Sequence, residues 1–294
     1  MQFDSRQLAA LSAILRLGSF EAAAQELGVT QSAISQRLKS LEEQMGCVLV
    51  LRESPCRGTE AGNRLAAHAE AVALMEGQVS RDLGKATPSD GPLRVRVAVN
   101  ADSLATWFLS ALEEVEGLIF DLVIDDQDHS ADWLRRGEVM AAVTSHARPV
   151  QGCDVLPLGR LQYVATASPA FHERWFSDGV NAKTLARAPM LLFNEKDGLQ
   201  SEWLAAHFSR GLTPPTQGIP STRAFVEASQ RGIGWGMNPL PLIWRQLRRG
   251  HIVALKEDAM LETPLYWQVS RMLAPVLEPL TASIEEHAGK VLIK

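Results

Sequence analysis

The sequence predicts an α/β protein carrying an all-α winged helix-turn-helix at its N-terminus. Three observations carry that prediction. Roughly the first sixty residues hold three helical periodicities separated by glycines, followed by a short β-branched run. A proline-free stretch rich in Ala, Leu and Glu comes next and is long enough for one extended helix. From Leu93 onward strand-like and helix-like segments alternate, the pattern of a mostly parallel sheet wrapped by helices.

Composition narrows the function classes before any motif is read. A chain of 294 residues has room for about two domains, and 46% hydrophobic with 21% charged residues is the balance of a globular protein rather than a disordered one. The opening MQFDSRQLAA lacks the basic and then apolar order of an export signal. No apolar run approaches the roughly 18 residues that span a bilayer, so a cytoplasmic protein with no membrane partner is expected. The three cysteines, Cys47, Cys56 and Cys153, cannot pair without a leftover and are read as reduced thiols. Seven scattered histidines supply no HExxH or clustered ligand set, so neither a metal nor another cofactor is expected. The net charge of −5 does not suggest a nucleic-acid partner, because non-specific DNA affinity comes from Lys and Arg. A DNA reading must therefore rest on pattern.

In the first segment Leu8, Leu11, Leu15 and Gly18 recur at helical spacing, and Gly18-Ser19 supplies a stop and a new N-cap. FEAAAQELG predicts a short second helix with Ala23, Ala24 and Leu27 on one face, closed by Gly28. Thr30 then caps TQSAISQRLKSLEEQMG, in which Ile34, Leu38, Leu41 and Met45 share a face and Gly46 ends the helix. Two helices joined by a tight Gly-Val-Thr turn form a helix-turn-helix, whose second helix is the reader. Opposite its apolar stripe lie Gln31, Ser32, Ser35, Gln36 and Lys39, polar side chains suited to base edges and phosphates; Thr30 and Arg37 are added as candidates beside them. VLVLRESPCRG reads as a strand, a turn and a return, a wing that carries Arg52 and Arg57 toward phosphates.

These residues resemble a known family. GSFEAAAQELGVTQSAISQRLKSLEEQMGCVLVLRESPCRGTEAG is similar to the N-terminal pattern of the LysR-type transcriptional regulators, with two departures. Ser35-Gln36 stands where many members carry Ser-Arg, and Val50 stands where an aromatic is common. The resemblance implies double-stranded operator DNA, RNA polymerase and a second copy of the chain as partners, as a homodimer or a dimer of dimers.

Thr59 is a plausible N-cap for the long helix, which bears Leu65, Val72, Met75 and Val79 near heptad spacing. That stripe packs either on the core of its own chain or on a partner helix; the resemblance points to antiparallel pairing of linker helices in a dimer. KATPSDGP, rich in Pro, Ser and Gly, marks a hinge. The organisation expected is a winged helix-turn-helix over residues 1–60, a linker and dimerisation helix over 61–83, a hinge over 84–92 and an effector-binding domain over 93–294.

Beyond the hinge, LRVRVAVN, SLATWFLSALEEV, LIFDLVID, SADWLRRG and VMAAVT alternate as strand and helix, and a second series starts near Leu161. Two α/β halves leave a cleft, and ligands of open α/β sheets bind at the carboxyl ends of strands. The resemblance implies a fold like that of type 2 periplasmic binding proteins, with roughly residues 93–161 and 269–294 in one half and 162–268 in the other. VNADSLATWF, IDDQDHS, LRRGEVMAAVT, GIGWGMNP and PLYWQ resemble more specifically the ArgP and LysG branch, regulators of basic amino-acid export. An L-lysine or L-arginine effector needs an anion site and an acidic site. Asp102 and Ser103 follow the first strand directly; Asp125, Asp126 and Asp128 end the next, and Thr144 ends the third. The competing reading makes Asp102 or Ser103 a helix cap and the acidic cluster a solvated loop. GIGWGMNP is not a dinucleotide fingerprint, because its glycines, Gly232, Gly234 and Gly236, are wrongly spaced; it reads as a turn of close backbone approach.

The function expected is thus activation of an amino-acid exporter gene in response to lysine or arginine, the alternative being a LysR-type regulator of another pathway with a different effector. A solute-binding protein would have no use for the reader helix, and an enzyme would need a catalytic set that no motif supplies.

Overall fold

The computed structural model describes residues 2–85, 92–125 and 130–294. Most of the expected hinge, and the candidates Asp126 and Asp128, lie outside the described residues.

Helix α1 (Ser5–Leu17) is capped by the Asp4 carboxylate, which accepts the Arg6 and Gln7 amides, and it stops at Gly18 in the left-handed region, φ 64°. Helices α2 (Phe20–Glu26) and α3 (Gln31–Met45) are capped by Ser19 and Thr30, and Gly46 ends α3 at φ 68°. Leu8, Leu11, Ile14, Ala23, Ile34, Leu38 and Leu41 form their common core. Ala23 is wholly buried, and its single methyl leaves room for the helices to approach. Strands β1 (Val50–Leu51) and β2 (Arg57–Gly58) pair antiparallel as the wing.

Helix α4 (Glu60–Asp82) starts where Thr59 Oγ1 accepts the Gly62 amide. It serves two cores. Leu65 and Ala66 belong to the N-terminal one, while Leu74 is buried in the next, with Ala71 and Met75 packed against it. The expected stripe is therefore split: Leu65 and Met75 turn toward this chain's own cores, and Val79 is left 55% exposed. The two helix glycines are positions of close approach, since a Cβ at Gly62 would stand 2.0 Å from the Leu49 carbonyl oxygen and one at Gly77 2.6 Å from Leu93 Cδ2. Ser12 of α1 donates to Glu70 Oε1 of α4 at 3.2 Å. Burial pushes the Glu70 carboxyl above the usual range, against the lowering effect of that hydrogen bond.

Strand β3 (Leu93–Val99) runs into α5 (Ala101–Ser103), a π-helical turn (Leu104–Phe108) and α6 (Leu109–Glu113). Strand β4 (Leu118–Ile124), α7 (Ser130–Arg135) and β5 (Ala141–Thr144) follow, with β4 and β5 both parallel to β3. Strand β6 (Cys153–Ala167) is long, and after it come α8 (Pro169–Phe176), α9 (Ala182–Leu185), β7 (Met190–Leu192), α10 (Leu199–His207), β8 (Thr216–Gly218), α11 (Thr222–Gln230), β9 (Gly236–Pro239), α12 (Leu240–Arg248) and β10 (Val253–Ala254). Strand β11 (Leu261–Ser270) returns along β6, and α13 (Glu278–Val291) packs on α6 and the π turn.

The main sheet has the order β10-β6-β11-β5-β3-β4, with β9 also on β6. It is mixed rather than mostly parallel, because β6, β9, β10 and β11 all pair antiparallel. LQYVATA is the end of β6, not the start of a new series, so β6 and β11 are shared by the two ends of the sheet. Their pairing shifts register between Leu265 and Tyr266, opposite Gly159, whose φ of 128° and 2.6 Å Cβ clearance to the Ile293 carbonyl oxygen admit no side chain. Trp107, Tyr163, Trp203, Trp235 and Trp267 fill the core, and Trp203 and Trp267 place their indole N–H on Ala259 O and Thr281 Oγ1. Among the described residues no helix is long and apolar enough to cross a membrane.

Candidate functional site

Two surfaces hold the candidate residues. On α3, Gln31, Ser32, Gln36 and Lys39 are exposed and Ser35 is half-buried beside them. Thr30 is committed to its cap: its Oγ1 accepts the Ala33 amide at 3.2 Å and lies 2.9 Å from Ser32 Oγ. Lys39 lies 3.7 Å from Glu43 one turn on, a solvated pair that leaves the ammonium available. Arg37 departs from the expected face. At 100° per residue it falls on the flank near Ile34 and Leu41, half-buried, and it lines a groove beside Glu26, Val29 and α1. In the wing Arg52 and Arg57 are both exposed, and the Arg52 guanidinium stacks 5.0 Å from the Phe20 ring, joining wing to helix α2.

The second surface is a cavity of about 450 Å³, a size suited to a small molecule. One wall comes from the carboxyl ends of β3 and β4, with Asn100, Asp102, Ile124 and Asp125. The other comes from the loop after β7 (Phe193, Asn194, Lys196), from α11 (Thr222, Phe225) and from β9 (Met237, Asn238). The walls are apolar where Phe193, Phe225 and Met237 lie, and much of the rest is polar, including the carboxylates of Asp102, Asp125, Glu195 and Asp197.

Those polar groups are mostly acceptors. Asp102 neither caps its helix nor faces solvent alone: Tyr163 O–H donates to Oδ2 at 2.8 Å and Thr222 to Oδ1 at 3.0 Å, so its carboxylate ties α5 to β6 and α11. Asp125 accepts the Trp133 indole N–H at 2.9 Å and the Lys196 ammonium at 2.9 Å. Asn100 and Asn238 are buried, and among the described residues neither Oδ1 has a hydrogen-bond partner. The Asn238 orientation is fixed from its other end, where Nδ2 donates to Thr166 Oγ1 and Ser229 Oγ. A buried acceptor without a donor costs stability.

Two expected effector residues are placed elsewhere. Ser103 is wholly buried and is not among the residues lining the cavity, because the helix turns it into the protein one residue after Asp102. Its Oγ has no hydrogen-bond partner among the described residues. Thr144 is likewise buried off the cavity, its hydroxyl accepting from Gln268 Nε2 at 3.1 Å across β5 and β11. The sequence reading missed Asn100, Tyr163, Lys196, Thr222 and Asn238. Asn100 and Asn238 lie in VNADSLATWF and GIGWGMNP, whereas Lys196 and Thr222 carry no local signal. The glycine run before Asn238 does mark close approach: a Cβ at Gly234 would meet Leu191 at 2.8 Å and one at Gly236 would meet Phe225 at 2.6 Å.

Comparison with known proteins identifies the two domains that carry these surfaces. Residues 5–63 match the bacterial regulatory helix-turn-helix protein, lysR family, and residues 86–289 match the LysR substrate binding domain. The chain is 45% identical over 288 residues to the HTH-type transcriptional regulator LysG of Mycobacterium tuberculosis, covering 98% of this chain and 94% of that protein. Among solved structures, the crystal structure of ArgP from Mycobacterium tuberculosis is similar with a TM-score of 0.84 at 43% identity, covering 99% of each chain. Full-length LysG from Corynebacterium glutamicum with bound effector Arg is similar with a TM-score of 0.71 at 34% identity, covering 99% of this chain and 100% of that one.

Proposed function

The chain belongs to the LysR family of bacterial regulatory proteins, and from that premise we propose that it activates an amino-acid exporter gene when L-lysine or L-arginine enters the cleft cavity. It is a DNA-binding transcriptional regulator of the LysG and ArgP type, not an enzyme. In the proposed division of labour residues 1–60 read operator DNA, 61–83 pair two copies, 84–92 act as a hinge and 93–294 bind the effector. Gln31, Ser32, Ser35, Gln36 and Lys39 face base edges or phosphates, and Arg52 and Arg57 hold the backbone beside them. RNA polymerase is the downstream partner.

One observation carries the effector assignment: the cavity is lined by four carboxylates, Asp102, Asp125, Glu195 and Asp197, against one ammonium, that of Lys196. An amino acid with a cationic side chain brings two positive donor groups to such a lining, and charge-assisted hydrogen bonds are the strong ones. That the similar LysG of Corynebacterium glutamicum holds bound effector Arg supports the same choice. In this reading the distal cation reaches Asp125. Titrating the intact protein calorimetrically with each of the twenty amino acids tests it. L-lysine or L-arginine is expected to bind, and Asp125→Asn to weaken that binding by about tenfold, or about 1.4 kcal/mol. Binding only of uncharged or acidic amino acids would sink the assignment.

A further inference from the structure

Asp125, the carboxylate best placed for a ligand cation, already holds one. The Lys196 ammonium stands 2.9 Å from Asp125 Oδ1, and the two residues are 71 positions apart, on opposite walls of the cavity. Chemically the Lys196 side chain is the distal half of free L-lysine, four methylenes and an ammonium.

The loop that carries Lys196 is built to present it. Asn194 Oδ1 accepts the Lys196 amide at 2.8 Å, and the Asp197 carboxylate accepts the amides of Phe193 at 2.9 Å and Leu199 at 3.2 Å. Side-chain-to-backbone bonds on both sides thus fix the backbone at Lys196 and leave its long side chain as the moving part. On Asp125, Trp133 donates to Oδ2 and Lys196 to Oδ1, so a ligand cation that approaches this carboxylate from the cavity meets the Lys196 ammonium already there. The Lys196 side chain is 50% exposed and that of Asp125 19% exposed, so the pair is only partly desolvated and its ammonium can swing out into water.

We propose that Lys196 is a tethered competitor for the cation position of the cleft: its ammonium occupies Asp125, a basic ligand must displace it, and the displacement sets the ligand concentration to which the protein responds. The proposal rests on the reading of the cavity given under Proposed function. A short flexible tether confers an effective concentration on the order of millimolar. A free basic amino acid therefore gains a foothold only where its remaining groups, the α-ammonium and carboxylate, add affinity that the side chain of Lys196 lacks. Short amines that are mere cations are rejected by the same device. A ligand without a distal cation leaves the internal pair intact, so Lys196 also spares Asp125 from being covered while unpaired.

The test is calorimetry on the intact protein and on Lys196→Met, which keeps the apolar stem and removes the charge, with L-lysine, L-arginine and L-norleucine as probes. Lys196→Met is expected to bind L-lysine and L-arginine about fivefold more tightly, with no gain for L-norleucine. Lys196→Met combined with Asp125→Asn should bind no more tightly than Asp125→Asn alone, which separates competition at Asp125 from a general change in charge. Weaker binding by Lys196→Met would mean that Lys196 holds the ligand carboxylate, and unchanged binding would mean no competition; either overturns the competitor role while leaving the basic-amino-acid reading standing. If neither protein binds lysine or arginine, that reading falls and the competitor role with it.

Discussion

Single side chains on α3 divide into those that position the helix and those left to read. Ile34, Leu38 and Leu41 are wholly buried, which fixes the helix rotation and so leaves Gln31 and Ser35 at its outward N-terminal turns. If they contact base edges, Gln31→Ala and Ser35→Ala should each lose roughly 1 to 3 kcal/mol of discrimination between operator and unrelated DNA. Mobility-shift titrations on both DNAs measure this, and operator affinity at wild-type strength in both folded variants would count against the placement. The cleft shows how far residue-level reading reaches. Asp102 and Asp125 were legible because each lies within three residues of the end of a strand of one sheet, so nearness in sequence places them on one rim. Lys196, Thr222 and Asn238 were not, because the opposite wall is set by how later segments fold back over that rim. Ser103 shows the opposite error: it is next to a lining residue in sequence, yet helix rotation turns it inward.

Helix α4 leaves part of its apolar stripe uncovered. Its Leu65 and Leu74 are buried in this chain, but Val79 is exposed and Val72 lines a groove of about 540 Å³ beside α1. The element expected to pair two copies thus retains an apolar strip that a partner helix can cover. Replacing Val72 and Val79 together by Glu should convert a dimer to monomers in sedimentation velocity runs; a double variant that stays dimeric would assign the main contact to another element. Caps and stops were legible in the sequence, since Ser19, Thr30 and Thr59 act through bonds spanning only three residues. The mixed sheet was not, because a strand's local pattern says which face is buried but not which way its neighbour runs. Nor does local pattern distinguish Leu74 from Val72 as the residue that meets the second core, a choice made by the angle at which α4 docks.

Stability against pH is a property of the whole molecule, and Glu70 contributes to it from the joint between α1 and α4. Burial raises its carboxyl pKa in the folded protein, so the unfolded chain gives up that proton at lower pH than the folded one. Ionisation therefore favours unfolding, and stability is lost as pH rises from the ordinary carboxylate value through the raised one. Glu70→Gln, which keeps the Ser12 hydrogen bond and cannot ionise, should melt a few degrees higher than wild type at neutral pH, roughly as expected for a change below 1 kcal/mol, with the gap closing in mild acid. Calorimetric scans at several pH values read this directly; a variant no more stable than wild type at pH 7 would show that the charge is well solvated. The course of the chain carries a consequence of a different kind. Everything between β6 and β11, including β9 and β10, is entered and left through two adjacent antiparallel strands, so those residues form a cassette with neighbouring entry and exit. One wall of the cavity, with Lys196, Thr222 and Asn238, travels inside the cassette, and the wall with Asp102 and Asp125 stays in the frame. Splicing in the matching stretch from a relative would then exchange half of a recognition surface in one genetic step, leaving the frame, its linker helix and its reader untouched.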